Sequence, residues 1–151
     1  MFSEDDAIRF KVVKGSPFDV KLPQRSTRES AGYDFFAPYP FAVGVGESIV
    51  VKTWVKAKML SNVCLLLLVR SSWGIKKGIT LRNSVGLIDS DYFENSDNDG
   101  NIMFAYTNNG DKPLEVKAGE KIGQGVFLPF YVTDDDLSGG ERTGGIGSTD
   151  D

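Results

Sequence analysis

The chain has no histidine and only one cysteine among its 151 residues. Without histidine, Ser-His-Asp and Cys-His catalytic sites and the usual zinc sites are excluded. A single cysteine cannot form an intramolecular disulfide, and Cys64 stands within an apolar run, where an unreactive core thiol is expected. Any bound metal should therefore be a hard cation that is held by oxygen ligands.

Long apolar runs and an excess of basic residues are missing as well. The apolar segment 63–69 is far shorter than the ~20 residues that a membrane-spanning helix needs. The net charge of −4 argues against a general nucleic-acid binder, which would carry a basic face. Because the acidic segment 1–6 does not have the basic and apolar pattern of a secretory signal, we expect a cytoplasmic location.

Length and composition indicate one globular domain with a distinct C-terminal arm. A hydrophobic fraction of 40% and an aromatic fraction of 11% are sufficient for a real core in a chain of this length. Residues 134–151 differ, since they are acidic and rich in glycine and serine, and we expect a mobile arm there. The chain is therefore divided into a β core, 1–133, and the C-terminal arm, 134–151.

The apolar patterns predict an all-β chain. Residues 48–59 alternate between apolar side chains and lysines, which is typical of one long strand with a single buried face. The continuously apolar segment 63–69 predicts a strand that is buried on both faces. Further strands are predicted at 9–13, 19–25, 78–81, 85–88, 102–107, 112–116 and 120–133. Because helical periodicity is nearly absent and turn residues recur at short spacing, we predict a jelly roll, sandwich or barrel.

The segment 84–92 carries the main functional signal. An apolar run ends in two carboxylates, Asp89 and Asp91, and the polar loop 93–101 separates it from the apolar segment 102–106. This order predicts a hairpin with carboxylates at its mouth. A carboxylate at the edge of a packed sheet can serve as a general base, although a hydrogen-bonded or solvated turn has the same pattern.

Other polar clusters have more than one interpretation when each is taken alone. Residues 31–34 have the pattern of an ordinary turn. Asn83 comes directly before the segment 84–92. Residues 70–72, Arg-Ser-Ser, could bind an anion or cap the sheet. Gln124 lies in an apolar row, so its amide needs a partner if that row is buried. Arg142 with its glycines and hydroxyls could bind a phosphate, whereas composition alone predicts a disordered tail.

Taken in chain order, these segments resemble the five motifs of the homotrimeric dUTPase family. AGYD, RSSWGIKKGI, NSVGLIDSDY, KIGQ and RTGGIGST follow one another between residues 31 and 149, and the third is long and specific. The resemblance implies a jelly-roll homotrimer whose active sites each draw on all three subunits. It also implies hydrolysis of dUTP to dUMP and pyrophosphate with Mg²⁺. This reaction limits uracil in DNA and supplies dUMP for dTMP synthesis.

The resemblance assigns the central segment to catalysis and to recognition of the nucleoside. Asp89 matches the carboxylate that activates the attacking water. Tyr92 matches the aromatic residue under the deoxyribose, which leaves no room for a 2′-hydroxyl and so excludes ribonucleotides. Asn83 matches a residue that holds a bridging water. Gly86 and Ile88 belong to the hairpin whose backbone contacts uracil.

The remaining assignments concern the triphosphate and its cation. The second and fourth motifs supply the expected phosphate-binding residues, which are Arg70, Ser71, Ser72 and Gln124. Asp34 matches an acid near the water shell of Mg²⁺, which is an indirect metal contact. The fifth motif is expected to close over the triphosphate and contributes Arg142, Gly144, Gly145 and Ile146. We expect a structural role for Asp91, because two free carboxylates side by side would repel each other.

The sequence departs from the family pattern at several places. Ile146 stands where an aromatic residue is usual, so we expect weaker stacking on the base and slower turnover. Arg142 is one residue nearer to the glycine pair than in the commonest pattern. Ser72 and Trp73 replace a small and an aliphatic residue, and we expect Trp73 to have a packing role. The loop 93–101 is longer than usual, which fits either a solvated insertion or a partner-binding loop.

Two other functions are open beside a dUTP diphosphatase. A regulatory protein could keep the nucleotide pocket and contact a protein partner through the loop 93–101. A dCTP deaminase relative would need a glutamate-based site, and no matching glutamate lies near Arg70 or Asp89 in the sequence. The variant motif at 70–72 and the long loop resemble the bacteriophage and Gram-positive branch, for which the host cytoplasm would be the location.

Overall fold

The computed structural model describes residues 7–142 and 144–146, and the predicted all-β class is confirmed. These residues contain one short helix, α1 (Ser71–Lys77), and one 3₁₀ turn, Ser90–Tyr92. The strands are β1 (Arg9–Val12), β2 (Tyr33–Phe36), β3 (Phe41–Val43), β4 (Ser48–Lys52), β5 (Val55–Lys58), β6 (Val63–Leu68), β7 (Ile79–Leu81), β8 (Gly86–Ile88), β9 (Met103–Asn108), β10 (Leu114–Val116) and β11 (Lys121–Pro129). The acidic segment 1–6 and the motif residues 147–149 lie outside the described residues.

The strands are arranged in antiparallel sheets, two of which are larger than the others. One has the order β2-β11-β6-β8 and the other the order β4-β9-β7, while β1 pairs with β5 and β3 with β10. β6 lies between β11 and β8, and its Leu65 and Leu67 are at most 2% exposed. The continuously apolar segment 63–69 is thus an interior strand, as its pattern predicts.

Aromatic side chains from both larger sheets meet in the core. Phe35 of β2 packs edge-to-face on Phe104 of β9, with ring centroids 5.2 Å apart. Tyr106 stacks on Phe104 and donates its hydroxyl hydrogen to the carbonyl of Ile122. Burial raises the pKa of Tyr106 well above 10.0. Burying side chains of this size contributes about 1.5–3 kcal/mol each, so this cluster joins the two sheets firmly.

The predicted single strand at 48–59 is wrong, because the chain breaks between β4 and β5. Trp54 adopts a left-handed backbone with φ of 60°, which no regular strand allows. The N–H of Trp54 donates to Oδ1 of Asn101, at 2.9 Å, and the Thr53 hydroxyl donates to the Ile102 carbonyl. β4 then pairs with β9 and β5 with β1. Lys56, predicted on a solvent face, is only 5% exposed.

The predicted hairpin across the loop 93–101 is also wrong. β8 belongs to the sheet of β6, whereas β9 belongs to the sheet of β4 and β7. The tight turn lies instead between β7 and β8, where Ser84 has φ of 64° and its N–H donates to the carbonyl of Leu81. The loop 93–101 therefore connects two sheets rather than two neighbouring strands.

Local hydrogen bonding explains the unpredicted helix α1 (Ser71–Lys77). It ends at Gly78, whose left-handed φ of 69° lets its N–H reach the Trp73 carbonyl. Trp73 is 2% exposed and packs edge-to-face on Tyr106, which confirms its predicted packing role. Among the described residues, no helix has the length and apolar character needed to cross a membrane.

Other differences are small. The predicted strand at 19–25 is reduced to an isolated bridge between Gln24 and Asp34, since Pro23 cannot donate to a ladder. β11 ends at Pro129, short of the predicted residue 133. β2 and β3 are strands that the sequence patterns did not indicate.

Candidate active site

The end of β8 opens into a cavity of about 330 Å³. The cavity is lined by residues that were expected to recognise the nucleoside and by part of the C-terminal arm. Its lining is apolar at the floor and charged at the rim. The lining residues are Leu67, Asn83, Gly86, Leu87, Ile88, Asp89, Tyr92, Met103, Arg142 and Ile146. The fold thus brings together the third motif and the described part of the fifth, which are far apart in the sequence.

Gly86 determines how closely β8 approaches the interior strand β6. It is the register partner of Leu67, and a Cβ atom at residue 86 would lie 2.8 Å from the Cβ of Leu67. Real Cβ atoms do not come that close to packed side chains, so any other residue would push β8 outwards. A glycine is therefore needed here to form the floor of the cavity.

Asp89 stands at the rim of this cavity, and Asp91 follows it two residues later in the chain. Asp89 has an extended backbone at the end of β8, and its carbonyl accepts the N–H of Tyr92 to start the 3₁₀ turn. The side chains of Asp89 and Asp91 are 50% and 56% exposed, so both reach water while their backbone is fixed. This is the placement that a general base requires.

Arg142 bridges the two carboxylates. Its Nη1 lies 3.1 Å from Oδ2 of Asp89 and 3.2 Å from Oδ1 of Asp91. Nε donates to the carbonyl of Gly144 and Nη2 to that of Gly145, and the guanidinium lies over the Tyr92 ring. The arginine side chain is only 8% exposed. The arm residues 142 and 144–146 therefore pack on the core in this structure.

Tyr92 forms a fixed wall of the cavity. It is 4% exposed, its hydroxyl donates to the carbonyl of Asn101 at 2.7 Å, and it accepts a hydrogen bond from Nδ2 of Asn98 at 2.8 Å. Burial raises its pKa above 10.0, while the hydrogen bond from Asn98 and the charge of Arg142 lower it in part. The neutral ring is thus held rigidly beside the carboxylates.

The loop 93–101 is tied to the core by Lys56 of β5. Lys56 Nζ lies 2.7 Å from Oε2 of Glu94 and 2.8 Å from Oδ2 of Asp99, and the backbone N–H of Lys14 donates to the same Asp99 oxygen. Burial works against the charge of Lys56, but its bonds to Asp99 and Glu94 outweigh it and raise its pKa above 10.5. Burial also opposes the charge of Asp99, yet Lys56 and Lys14 lower its pKa below 3.8.

A second cavity, of about 230 Å³, collects the residues expected at the phosphates and at the cation. It is lined by Ser26, Asp34, Arg70, Ser71, Ser72, Lys121 and Gln124. Ser26 and Lys121 were not predicted as site residues. Lys121 opens the KIGQ motif and could have been found there, whereas nothing in the sequence marks Ser26.

Hydrogen bonds and a cation–π contact hold the polar groups of the second cavity in place. Arg70 donates from Nη1 to the Lys121 carbonyl at 3.0 Å, and its guanidinium carbon lies 5.7 Å from the centre of the Trp73 ring. Gln124 donates from Nε2 to the Val69 carbonyl at 3.4 Å, which is the partner its amide was expected to need. The cluster thus holds an arginine and a lysine, with hydroxyls from Ser71 and Ser72.

The donor groups of this cavity bear on how a magnesium ion could be held. Within residues 7–142 and 144–146, no group of three or more acidic, histidine or cysteine side chains could bind a metal. Asp34 already accepts from Ser26 at 2.8 Å and pairs with Lys121 at 3.3 Å. Mg²⁺ usually retains waters and binds substrate phosphates with one or two carboxylates. The residues present fit an ion held mainly by the substrate, with Asp34 as an indirect contact.

The two cavities share no lining residue, and both have the chemistry of nucleotide binding. One combines a carboxylate, an aromatic wall and an apolar floor; the other concentrates cations and hydroxyls. On a β fold, these two sites point to the class of nucleotide hydrolases, which need a base and a cationic site for the phosphates. Comparison with known proteins narrows this class to one family.

The dUTPase family model matches residues 19–147. A deoxyuridine 5'-triphosphate nucleotidohydrolase from Lactococcus lactis subsp. lactis is 42% identical over 140 residues, which cover 91% of this chain and 93% of the relative. The corresponding protein of Haemophilus ducreyi is 38% identical over 83% of this chain and 84% of its own length. The chain therefore belongs to the dUTPase family, and the predicted enzymatic activity, hydrolysis of dUTP, is confirmed.

Solved structures agree with this assignment. The dUTPase from Streptococcus mutans has a TM-score of 0.76 and 39% identity, and the match covers 83% of this chain and 98% of that one. The dUTPase from phage phi11 of S. aureus has a TM-score of 0.72 at 18% identity, covering 88% of this chain and 96% of that one. The phage protein shows that the fold is shared.

Proposed function

We propose that Asp89 is the general base in the hydrolysis of dUTP to dUMP and pyrophosphate by this chain, and that it activates the water that attacks the α-phosphorus. The position of Asp89 carries the proposal, because a half-exposed carboxylate is fixed at the end of β8 beside the buried ring of Tyr92. In-line attack on phosphorus needs positioning, charge neutralisation and one base. All three are available in a chain without histidine.

Asp89 accepts a proton from the attacking water and later releases it to solvent. In the described state its Oδ2 is engaged by Arg142. A triphosphate has more negative charge than a carboxylate and offers bidentate oxygens to a guanidinium. We infer that substrate draws Arg142 towards the phosphates, which frees Asp89 to act on water. Asp91 then has a positioning role, as the second carboxylate that Arg142 contacts.

The remaining residues around Asp89 select the nucleoside. Deoxyribose packs against the Tyr92 ring, whose hydrogen bonds to Asn98 and Asn101 prevent it from moving aside for a 2′-hydroxyl. The backbone of 86–88 contacts uracil, and Asn83 holds a bridging water. Ile146, which is 74% exposed, covers the base from the arm.

We propose that the protein is a homotrimer. In it, the second cavity of one subunit binds the phosphates of the nucleotide whose nucleoside lies in the Asp89 cavity of a neighbouring subunit. The support is that the cationic residues and the Asp89 pocket line separate cavities within one chain. Arg70, Ser71, Ser72 and Gln124 would neutralise the phosphates there. When bound, Mg²⁺ supplies further charge neutralisation, with Asp34 near its water shell. A cytoplasmic location and an origin in the bacteriophage or Gram-positive branch remain predictions.

The alternative functions lead to different measurements. That a protein partner binds the loop 93–101 remains a prediction. If the chain is a regulatory protein, deletion of this loop should abolish binding of the partner and leave hydrolysis of dUTP intact. A dCTP deaminase relative would release ammonia from dCTP. Neither alternative requires Asp89 as a base for attack on phosphorus.

Pyrophosphate release from dUTP, dTTP, dCTP and UTP tests the proposal. Asp89→Asn should lower turnover of dUTP about 100- to 10,000-fold, the usual contribution of a general base. Asp111→Asn is the matched control, since Asp111 is an exposed carboxylate outside both cavities. Unchanged turnover in Asp89→Asn would contradict the assignment of the base, and turnover of UTP equal to that of dUTP would contradict the role of Tyr92.

A further inference from the structure

Trp54 has a backbone conformation that disfavours a large side chain. Its φ of 60° lies in the left-handed region, where a bulky residue is an outlier. The surrounding chain imposes this conformation, because the N–H of Trp54 donates to Oδ1 of Asn101 and its carbonyl accepts the N–H of Val13, both at 2.9 Å. Glycine would keep both backbone bonds without strain. The side chain of the tryptophan must therefore explain its presence, and strained residues of this kind cluster at ligand sites.

The partly exposed Trp54 lines a cavity outside the two described above, which we call the accessory cavity. Its volume is about 520 Å³, within the usual range of small-molecule sites. Val13, Trp54 and Met103 form its apolar wall. Its polar lining residues are Lys14, Lys52, Asn95, Ser96, Asp97, Asn98, Asp99 and Asn101.

The accessory cavity adjoins the Asp89 cavity but is a separate space. Met103 lines both cavities. Asn98 lines the accessory cavity, and its Nδ2 donates to the hydroxyl of Tyr92, which belongs to the wall of the Asp89 cavity. Because the two linings otherwise differ, a ligand can occupy the accessory cavity while substrate occupies the Asp89 cavity.

The charges around the accessory cavity favour an anion. Asp99 is already neutralised, since its Oδ2 lies 2.8 Å from Lys56 Nζ and accepts the backbone N–H of Lys14 at 2.9 Å. Oδ2 of Asp97 accepts a backbone N–H of the arm at 2.7 Å. Lys14 and Lys52 are exposed, so their flexible ammonium groups can turn towards a ligand. Positive charge is thus available beside the tryptophan ring.

We propose that the accessory cavity binds a nucleotide, with its base stacked on Trp54 and its phosphates held by Lys14 and Lys52. Stacking on an aromatic side chain suits every base, because each has a π-face. Phe18 supports the platform, since its ring centroid lies 6.3 Å from that of Trp54. This site is additional to the substrate site, and binding there does not depend on hydrolysis of dUTP.

Tryptophan fluorescence locates such a ligand. The chain has two tryptophans, and Trp73 is 2% exposed, so quenching by a bound base reports on Trp54. The full-length protein is saturated with a non-hydrolysable imido analogue of dUTP and then titrated with dATP. We expect saturable quenching by dATP, with weaker binding of deoxyadenosine and of inorganic triphosphate. Absence of quenching, or quenching that occurs only without the imido analogue, would overturn the proposal.

Equilibrium dialysis of dATP compares variants without the need for fluorescence. Trp54→Gly should weaken binding about tenfold or more, the usual loss for one base stacked on an aromatic ring. Lys52→Gln should weaken binding less and reduce its dependence on salt. Lys117→Gln, at an exposed lysine outside the cavity, is the matched control. Turnover of dUTP without dATP should be unchanged in all three. Equal affinity of Trp54→Gly and wild type for dATP would contradict the site.

Thermal unfolding separates a ligand role of Trp54 from a structural one. Because glycine accepts the left-handed backbone, Trp54→Gly should unfold at a midpoint no lower than that of wild type. Trp54→Ala also lacks the ring but retains a Cβ atom in the left-handed region. It should bind dATP as weakly as Trp54→Gly and unfold at a lower temperature. A midpoint of Trp54→Gly well below that of wild type would show that packing explains the tryptophan, against the proposal.

Discussion

Arg142 Nη1 lies 3.1 Å from Oδ2 of Asp89, so the arginine of the arm and the proposed base form an ion pair. Fifty-three residues separate the two in the sequence. The pair keeps the guanidinium at the rim of the cavity, within reach of an incoming phosphate. It also engages the carboxylate that we propose as the general base, so on this proposal the pair must open during catalysis.

Replacing Arg142 should therefore impair catalysis more than folding. We expect Arg142→Ala to lower kcat/KM for dUTP about 100-fold, in line with loss of one or two charge-assisted hydrogen bonds. Arg142→Lys should recover only part, because an ammonium cannot bind two oxygens in the fixed geometry of a guanidinium. Steady-state kinetics measure both, and Arg28→Ala, at an exposed arginine, is the control. Equal kcat/KM for Arg142→Ala and wild type would contradict the phosphate role.

Restoring an aromatic residue at 146 tests the expected weakness of base stacking. Ile146 is 74% exposed beside the Asp89 cavity, so a larger ring has room there. Stacking on a base contributes about 1–3 kcal/mol, and Ile146→Phe should raise kcat/KM for dUTP by at least fivefold. Ile146→Leu is the matched control for size without a ring. An unchanged kcat/KM in Ile146→Phe would show that the arm does not need stacking to close.

Removing Lys56 should destabilise the protein through the loop 93–101. Its side chain is 6% exposed, and its loss leaves Glu94 and Asp99 without their cation. We expect Lys56→Met to lower the free energy of unfolding by about 3 kcal/mol, at the low end for buried pairs because Glu94 is half exposed and screened. Denaturant titration measures this, with Lys52→Met on the exposed side of β4 as the control. A loss no larger than that of the control would contradict the role of Lys56 in tying the loop 93–101 to the core.

The pH dependence of stability should change on both sides of neutrality. The pKa of Asp99 is lowered below 3.8, so its contribution is present above pH 3.8 and is lost as pH falls through the folded value. The pKa values of Lys56 and Tyr92 are raised above 10.5 and 10.0, so their contributions are present below those values and are lost at higher pH. Free energies of unfolding measured against pH should fall in both limits. Asp99→Asn should flatten the acid limb, and an unaltered acid limb would contradict this assignment.

Gly86 should tolerate no side chain. The methyl group of Gly86→Ala would meet Leu67 at 2.8 Å, and overpacking of this kind costs about 1–3 kcal/mol. Because the displaced β8 carries Asp89, we also expect a lower kcat for dUTP. Gly140→Ala is the control, since nothing lies within 4 Å of a Cβ atom there. Wild-type unfolding and kinetics in Gly86→Ala would contradict the close approach of β8 and β6.

Features that depend only on residues close together in the chain could be predicted from the sequence. The apolar run 85–88 ending in Asp89, with Tyr92 one turn later, is a local arrangement, and the structure has it as β8 followed by a 3₁₀ turn. The continuous apolar pattern of 63–69 likewise determined an interior strand. The motif order was enough to identify the family, because each motif is a short contiguous segment. Side-chain period and motif order are properties of the chain itself.

What depends on strand pairing was decided only by the tertiary structure. Alternation through 48–59 does not reveal the break at Trp54, because that break is held by Asn101 from a distant loop. Lys56 looked solvent-facing until pairing of β5 with β1 placed it over Glu94 and Asp99, 38 and 43 residues away. The contact of Gly145 with Asp97 spans 48 residues. A sequence pattern defines which face of a strand is apolar, whereas only the packed sheets determine which charges meet across it.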